Sequence, residues 1–199
     1  MGAHWTLVAA KAAFAECSRQ PAWLRRGSIR LISLSKRQGE RDPSGDYRLG
    51  RAEQLEFEAA SFDLVVSYLT LVDIDDFRTA ISEMARVLKP GGSLLVANLT
   101  GFTSACAAQG WVRDEEGRRL HFPVDRYLDE FSFWFEWAGI RIENWHRPLE
   151  AYMAALLESG LQLTFFSEPE PVSGEPSRQE DYRRVPWFVV MEWRRPANS

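Results

Sequence analysis

His121 and His146 are the first residues whose chemistry stands out. An unperturbed imidazole titrates near neutrality, so either ring could take a proton from an oxygen or nitrogen nucleophile. Arg147 follows His146 directly, and its planar guanidinium suits a carboxylate or phosphate. Tyr127 and Trp137 lie in the same stretch and could wall an apolar small-molecule pocket. The two cysteines, Cys17 and Cys106, have neither a disulfide framework nor metal-ligand spacing. The chemistry on offer is positioning and proton transfer, with no metal.

Such side chains need a scaffold, and residues 62–99 predict one. Phe62-Asp63-Leu64-Val65-Val66-Ser67-Tyr68 is nearly continuous in apolar character, as in a strand buried on both faces. Asp73, Asp75 and Asp76 then give an N-cap signal. Phe77, Ala80, Ile81, Met84, Ala85, Val87 and Leu88 recur at helical spacing, so that face should lie on the sheet. Lys89-Pro90-Gly91-Gly92 stops the helix, and Ser93 to Leu99 is a second buried strand. The result is one βαβ unit.

Residues 107–148 differ in kind. Asp114-Glu115-Glu116-Gly117 is a polar turn between Trp111-Val112 and Leu120-His121-Phe122, which predicts a hairpin. Phe131 to Trp145 predicts another strand pair. Leu149 to Leu157 reads as a short helix ended by Gly160, and Leu161 to Phe166 as a strand. Residues 167–181 read as a polar loop, and Val185 to Trp193 as the last strand. That strand follows another with no helix between, so it should pair with it antiparallel in an otherwise parallel sheet.

Composition narrows the function. At 199 residues the chain is long enough for one domain with a real core. A net charge of −4 gives no support for nucleic acid or an anionic membrane as partner. No apolar run approaches a bilayer span, and the N-terminus lacks the order of a secretory leader. A cytoplasmic protein acting on a small molecule is the expectation. Of eight tryptophans, five lie between 134 and 193, as core or as an aromatic lid.

The wording of 62–99, with Leu-Lys-Pro-Gly-Gly-Ser-Leu-Leu-Val-Ala-Asn-Leu at 88–99, resembles the class I S-adenosylmethionine-dependent methyltransferases, in the type 11 branch. The resemblance covers about residues 42–199. It implies an α/β, Rossmann-like fold whose mostly parallel sheet ends in an antiparallel strand. It also implies S-adenosylmethionine as cofactor, a small-molecule methyl acceptor, and a substrate lid at about 107–148. Asp46 to Glu53 looks like the third strand and adenine turn, with Arg51, Ala52 and Glu53 as cofactor contacts. Arg51 stands where that pattern commonly carries Asp; Arg has no acceptor, so the backbone contact of Ala52 is what carries over. The resemblance sets Ser67 and Tyr68 beside the methionine part of the cofactor. His146-Arg147-Pro148-Leu149 resembles a recurring segment of the branch. His121 and His146 become candidate bases, and Tyr127, Trp137 and Arg147 candidate acceptor contacts. The antiparallel last strand and the Leu-Lys-Pro-Gly-Gly turn argue against a nicotinamide oxidoreductase.

Residues 1–41 depart from that pattern. The apolar run from Leu7 to Ala15 is followed by no Gly-x-Gly-x-Gly turn, and no second-strand acid appears. Read from the third base of the Trp5 codon, permitted codons for the following residues give Asp-Val-Gly-Cys-Gly-Glu-Gly-Arg-Phe. The same frame allows Gly-Ile-Asp-Pro across Arg26 to Arg30 and Ile-Glu-Ala-Ala-Arg across Leu34 to Gly39. Residues 1–41 are therefore read as a frameshifted or divergent segment, and 42–199 as the back part of the domain. As written, the chain is expected to bind S-adenosylmethionine weakly or not at all. The alternative is an inactive remnant or a non-catalytic partner subunit.

Overall fold

The computed structural model describes residues 5–10, 28–33, 46–48, 50–106, 110–137 and 140–197. Its centre is a seven-stranded sheet. The strands are β1 (Trp5–Ala10), β2 (Ser28–Ser33), β3 (Asp46–Arg48), β4 (Phe62–Tyr68) and β5 (Leu88–Leu99), then β10 (Gln162–Ser167) and β11 (Phe188–Arg194). Their spatial order is β10-β11-β5-β4-β1-β2-β3. The five strands from β3 to β5 run parallel; β11 is antiparallel to both β5 and β10. The segments at 62–68 and 93–99 lie side by side, with Leu64 opposite Ser93 and Tyr68 opposite Ala97.

Helix α1 (Phe77–Val87) crosses from β4 to β5. Asp76 caps it, accepting from the Thr79 N–H at 3.1 Å and its hydroxyl at 2.6 Å. Those bonds hold the Asp76 carboxyl below its usual range. The predicted stripe faces the sheet: Phe77, Ala80, Ile81 and Met84 are buried with Val65, Leu94 and Val96 in one cluster. Each large side chain buried there stabilises by about 1.5–3 kcal/mol. Helix α3 (Leu149–Glu158) adds Ala151, Tyr152, Ala155 and Leu156, and β11 adds Met191 and Trp193. Gly160 ends α3 with φ +76°.

Pro90-Gly91-Gly92, expected as a turn before the strand, lies within β5 and is tied from the other end of the chain. Gly91 N–H donates to the Arg195 carbonyl at 2.9 Å, and Arg195 N–H to Gly92 at 3.0 Å. The Arg195 guanidinium donates to the carbonyls of Ala85, Arg86 and Leu88. Gly91 adopts φ +79°, and a Cβ on Gly92 would lie 2.9 Å from the Lys89 carbonyl oxygen. Both positions therefore demand glycine.

Outside the main sheet stand two hairpins, β6 (Val112–Arg113) with β7 (Arg119–His121), and β8 (Phe131–Trp137) with β9 (Ile140–His146). Helix α2 (Gly101–Ala105) and a 3-10 turn at Leu71–Asp73 follow β5 and β4. Strand β9 packs against both.

A second expectation fails. The polar loop at 167–181 contains the start of a helix, α4 (Pro176–Arg184), with Pro176 in its first turn. It has no apolar stripe to announce it. Asp181 is paired with Arg119, and Tyr182 meets Trp187 edge-on at 5.2 Å. The N-terminal strands β1 and β2 fall within 1–41, but the glycine-turn question concerns 11–27, outside the described residues. Among the described residues, no helix is long and apolar enough to cross a membrane. No group of three or more His, Cys, Asp or Glu could hold a metal ion there.

Candidate functional site

In doubly wound sheets ligands bind beyond the carboxyl ends of the strands. Here β4 ends at Ser67-Tyr68, between β1 and β5. Ser67 is 1% exposed, and its hydroxyl has no partner among the described residues. Asn98, near the end of β5, leaves its buried Oδ1 equally unpartnered. Such buried groups cost free energy unless something else meets them. Leu69 follows with φ +50° while donating its N–H to the Ala97 carbonyl at 2.8 Å. A non-glycine residue in that region carries strain, a pattern common at ligand-binding edges.

Arg147 governs the loop that leaves β4. Its Nη1 donates to the Leu71 carbonyl at 3.1 Å, and Nη2 to those of Ile74 and Asp75, both at 2.7 Å. The guanidinium carbon stacks 4.3 Å from the Phe77 ring centre and 5.0 Å from that of Trp145. The side chain is 1% exposed. The two terminal nitrogens of Arg147 are thus spent on backbone, while its buried Nε has no hydrogen-bond partner among the described residues. Glu130 faces its Nε at 3.6 Å and bonds Arg78, whose guanidinium holds the Glu130 carboxyl below its usual range.

His146 is equally committed. Its Nδ1 lies 2.8 Å from Ser104 Oγ and its Nε2 3.0 Å from the Tyr127 carbonyl oxygen. A carbonyl only accepts, so Nε2 carries the hydrogen and Nδ1 accepts from the Ser104 hydroxyl. Burial pushes the ring below the usual 6.5, against the pull of the Tyr127 bond and the Asp129 carboxylate. With both nitrogens engaged, His146 positions its neighbours and presents no lone pair to an acceptor, contrary to its reading as a base.

Tyr127 joins the same cluster. Its ring stacks on Phe102 at 5.4 Å and meets His146 edge-on at 5.8 Å. Its hydroxyl accepts from the Leu149 N–H at 3.2 Å, at the start of α3. The fit over α2 is close: a Cβ on Gly101 would lie 2.7 Å from the Tyr127 ring.

The other expected residues fall elsewhere. His121 ends β7, exposed, with no bond or ring contact to the His146 cluster among the described residues. Its hairpin docks on α4, where Arg184 donates to the carbonyls of Arg119 and Leu120 and Arg119 pairs with Asp181. Trp137 pairs with Ile140 at the hairpin's far end, while Phe131 pairs with His146. Six residues of strand, about 20 Å, separate Trp137 from the His146 end. Its side chain lies outside those described. Ala52 is buried at the turn after β3, whereas Arg51 is exposed and paired with Glu53 at 2.8 Å. The next residues are fastened to α1: Glu83 accepts from the Leu55 N–H, and Arg86 donates to the carbonyls of Leu55 and Phe57.

Sequence reasoning missed Ser104, Phe102, Gly101 and Glu130. The Gly-Phe immediately after a buried strand was the available signal.

The sequence matches a family described as methyltransferase domain over residues 27–96. A solved S-adenosylmethionine-dependent methyltransferase from Listeria monocytogenes, described as putative, superposes with a TM-score of 0.80 at 25% identity. That match covers 97% of this chain and 92% of the other. A second, from Mesorhizobium loti, gives 0.78 at 23% identity, covering 96% and 90%, and supports the fold. The demethylmenaquinone methyltransferase of Corynebacterium glutamicum (strain R) is 48% identical over 106 residues, 53% of this chain and 44% of that protein. The chain spans less than half the length of the first curated relatives it matches. The family match takes in about a third of the chain, and with the Listeria structure it supports a class I S-adenosylmethionine-dependent methyltransferase fold of the type 11 branch.

Proposed function

We propose that this chain transfers a methyl group from S-adenosylmethionine to a small-molecule acceptor. One observation carries the reading: two buried, unpartnered polar atoms, Ser67 Oγ and Asn98 Oδ1, stand at the carboxyl edge over which the insertion folds. Neutral oxygens at that edge fit a donor bearing a positive sulfonium. The Ala52 turn and Ser67-Tyr68 would hold it. When bound, the donor supplies an electrophilic methyl carbon, displaced in line by the acceptor. The chain's own part is positional. Arg147 fixes the β4–α1 loop, and His146, Ser104 and Tyr127 fix the insertion over α2, which excludes water. Holding two reactants in line can lower a barrier by roughly 7–11 kcal/mol in ideal cases.

The same reading makes residues 1–41 a frameshifted segment, because the shifted frame supplies a glycine-rich stretch across Leu7 to Ala12. The test is calorimetric titration with S-adenosylhomocysteine of the chain as written and of a frame-restored chain. The restored chain should bind at least about tenfold tighter, a gain of about 1.4 kcal/mol. Absence of binding by both would refute the methyl-transfer reading. Equal binding would refute the frameshift alone, and resequencing the gene checks it directly.

A further inference from the structure

The two outer strands of the main sheet are guarded differently. On one side β3 is three residues long, Asp46-Tyr47-Arg48, with a charge at each end. On the other, β10 runs for six residues, Gln162-Leu163-Thr164-Phe165-Phe166-Ser167, with no charge and no proline. Among the described residues β10 pairs with β11 alone, so its far side is an open row of N–H and C=O groups. Its one guard is a bulge between Leu163 and Phe165, where the Thr164 hydroxyl donates to the Glu192 carbonyl at 3.1 Å. A bulge bends an edge; charge and proline, which turn a second strand away, are missing.

Both faces of that edge carry apolar side chains. Leu163 lies opposite Trp193 and Phe166 opposite Met191, and those two partners are buried in the core. Leu163 is 39% exposed and Phe166 41%, so the core layer reaches the edge and ends uncovered. On the other face Phe165 is 52% exposed. Charges stand only at the two ends. Arg194, opposite Gln162, and Glu168, just past Ser167, are exposed and have no ion pair among the described residues. Antiparallel pairing about a two-fold axis keeps each face continuous and sets the start of one strand beside the end of its copy. Leu163 and Phe166 then meet Phe166 and Leu163 of the copy, and each Arg194 falls at the same end as the copy's Glu168. An edge whose two ends complement each other selects a reversed copy of itself over an unrelated strand. The geometry points to β10 as a homodimer interface, in which two copies of this chain join edge to edge and one sheet runs through both. This interface stands independently of the methyl-transfer reading.

Sedimentation velocity of the full chain at low ionic strength, from about 1 to 100 μM, should show monomer giving way to dimer and nothing larger, since a two-fold pairing closes. Phe165→Lys puts a charge on the edge and should weaken the dimer about tenfold or more. The site is exposed, so the monomer should fold as before. Glu168→Arg and Arg194→Glu should each weaken the dimer about fivefold by setting like charges together, and the double exchange should return it to within about twofold of the original. Monomer at every concentration would overturn the inference, as would open-ended larger species. So would a dimer that Phe165→Lys leaves intact or, if that variant misfolds, one indifferent to the charge exchanges. A dimer weakened by the single exchanges and not restored by the double one would overturn it as well.

Discussion

Residues 62–99 and the insertion at 110–146 are built on different principles. In the first, Phe62, Val65, Phe77, Ile81, Met84, Leu94 and Val96 are each 1% exposed or less. Their contribution is additive and tolerant: losing one leaves the others buried. In the second, Leu120, Leu128 and Trp134 are exposed, and the fold is fastened by a few directed bonds. These are Arg147 to its three carbonyls, His146 between Ser104 and Tyr127, and Arg119 to Asp181. A directed bond has no substitute once one partner goes, because the other is left buried and unmet. The sheet is held by area and the insertion by points.

Arg147→Met should break that contrast most severely. It strands the buried Leu71 carbonyl and the half-buried carbonyls of Ile74 and Asp75, and should cost about 3 kcal/mol, with Arg147→Lys recovering only part. Hydrogen exchange should rise first in β8 and β9; an equal rise in β4 and β5 would show that the two regions unfold as one. Gly101→Ala comes next. Its methyl meets the Tyr127 ring and should cost about 1–3 kcal/mol in chemical denaturation, while Gly101→Ala with Tyr127→Leu should be milder than the sum.

The third prediction is a pH profile. The His146 ring has a folded pKa below the usual 6.5, so the unfolded chain takes up its proton first. Its contribution is complete above pH 6.5 and is lost as pH falls towards the folded value, with a slope of at most about 1.4 kcal/mol per pH unit. Asp76, Glu83 and Glu130, held low by their hydrogen bonds, act in a separate window below their usual 3.8 to 4.5. His146→Gln should flatten the upper window and leave the lower one; an unchanged slope between pH 6.5 and 5.5 would refute the assignment. The smallest effect is on the sheet side: Asp76→Ala removes the α1 cap and should lower stability by about 1 kcal/mol.

The two regions also differed in how well they could be read. Burial announces itself in periodicity, so β4 and α1 were legible to within a residue or two; β5 was placed, but it starts at Leu88, five residues before the expected Ser93, and takes in the Pro-Gly-Gly expected as a turn. The two hairpins were legible from turns and alternation; the antiparallel close was expected because no helix was read before the last strand, and α4 stands there. Helix α4 was not, because Pro-Ser-Arg-Gln-Glu-Asp-Tyr-Arg-Arg has no apolar stripe and is held by tertiary contacts. The role of His146 was misread for a related reason. A residue's type says what it can bond, and only the fold says whether backbone or ligand claims it. Ser104 carried no signal alone, since its partner lies about 42 residues away along the chain.

The last strand in sequence, β11, is an interior strand of the sheet, lodged between β5 and β10. A ribosome must therefore release residue 194 before the flank of β5 can close. Through most of synthesis that flank is an open apolar ladder, the kind of edge that recruits stray strands. Yield in a cell should accordingly respond to chaperone supply more than the finished protein's stability would suggest.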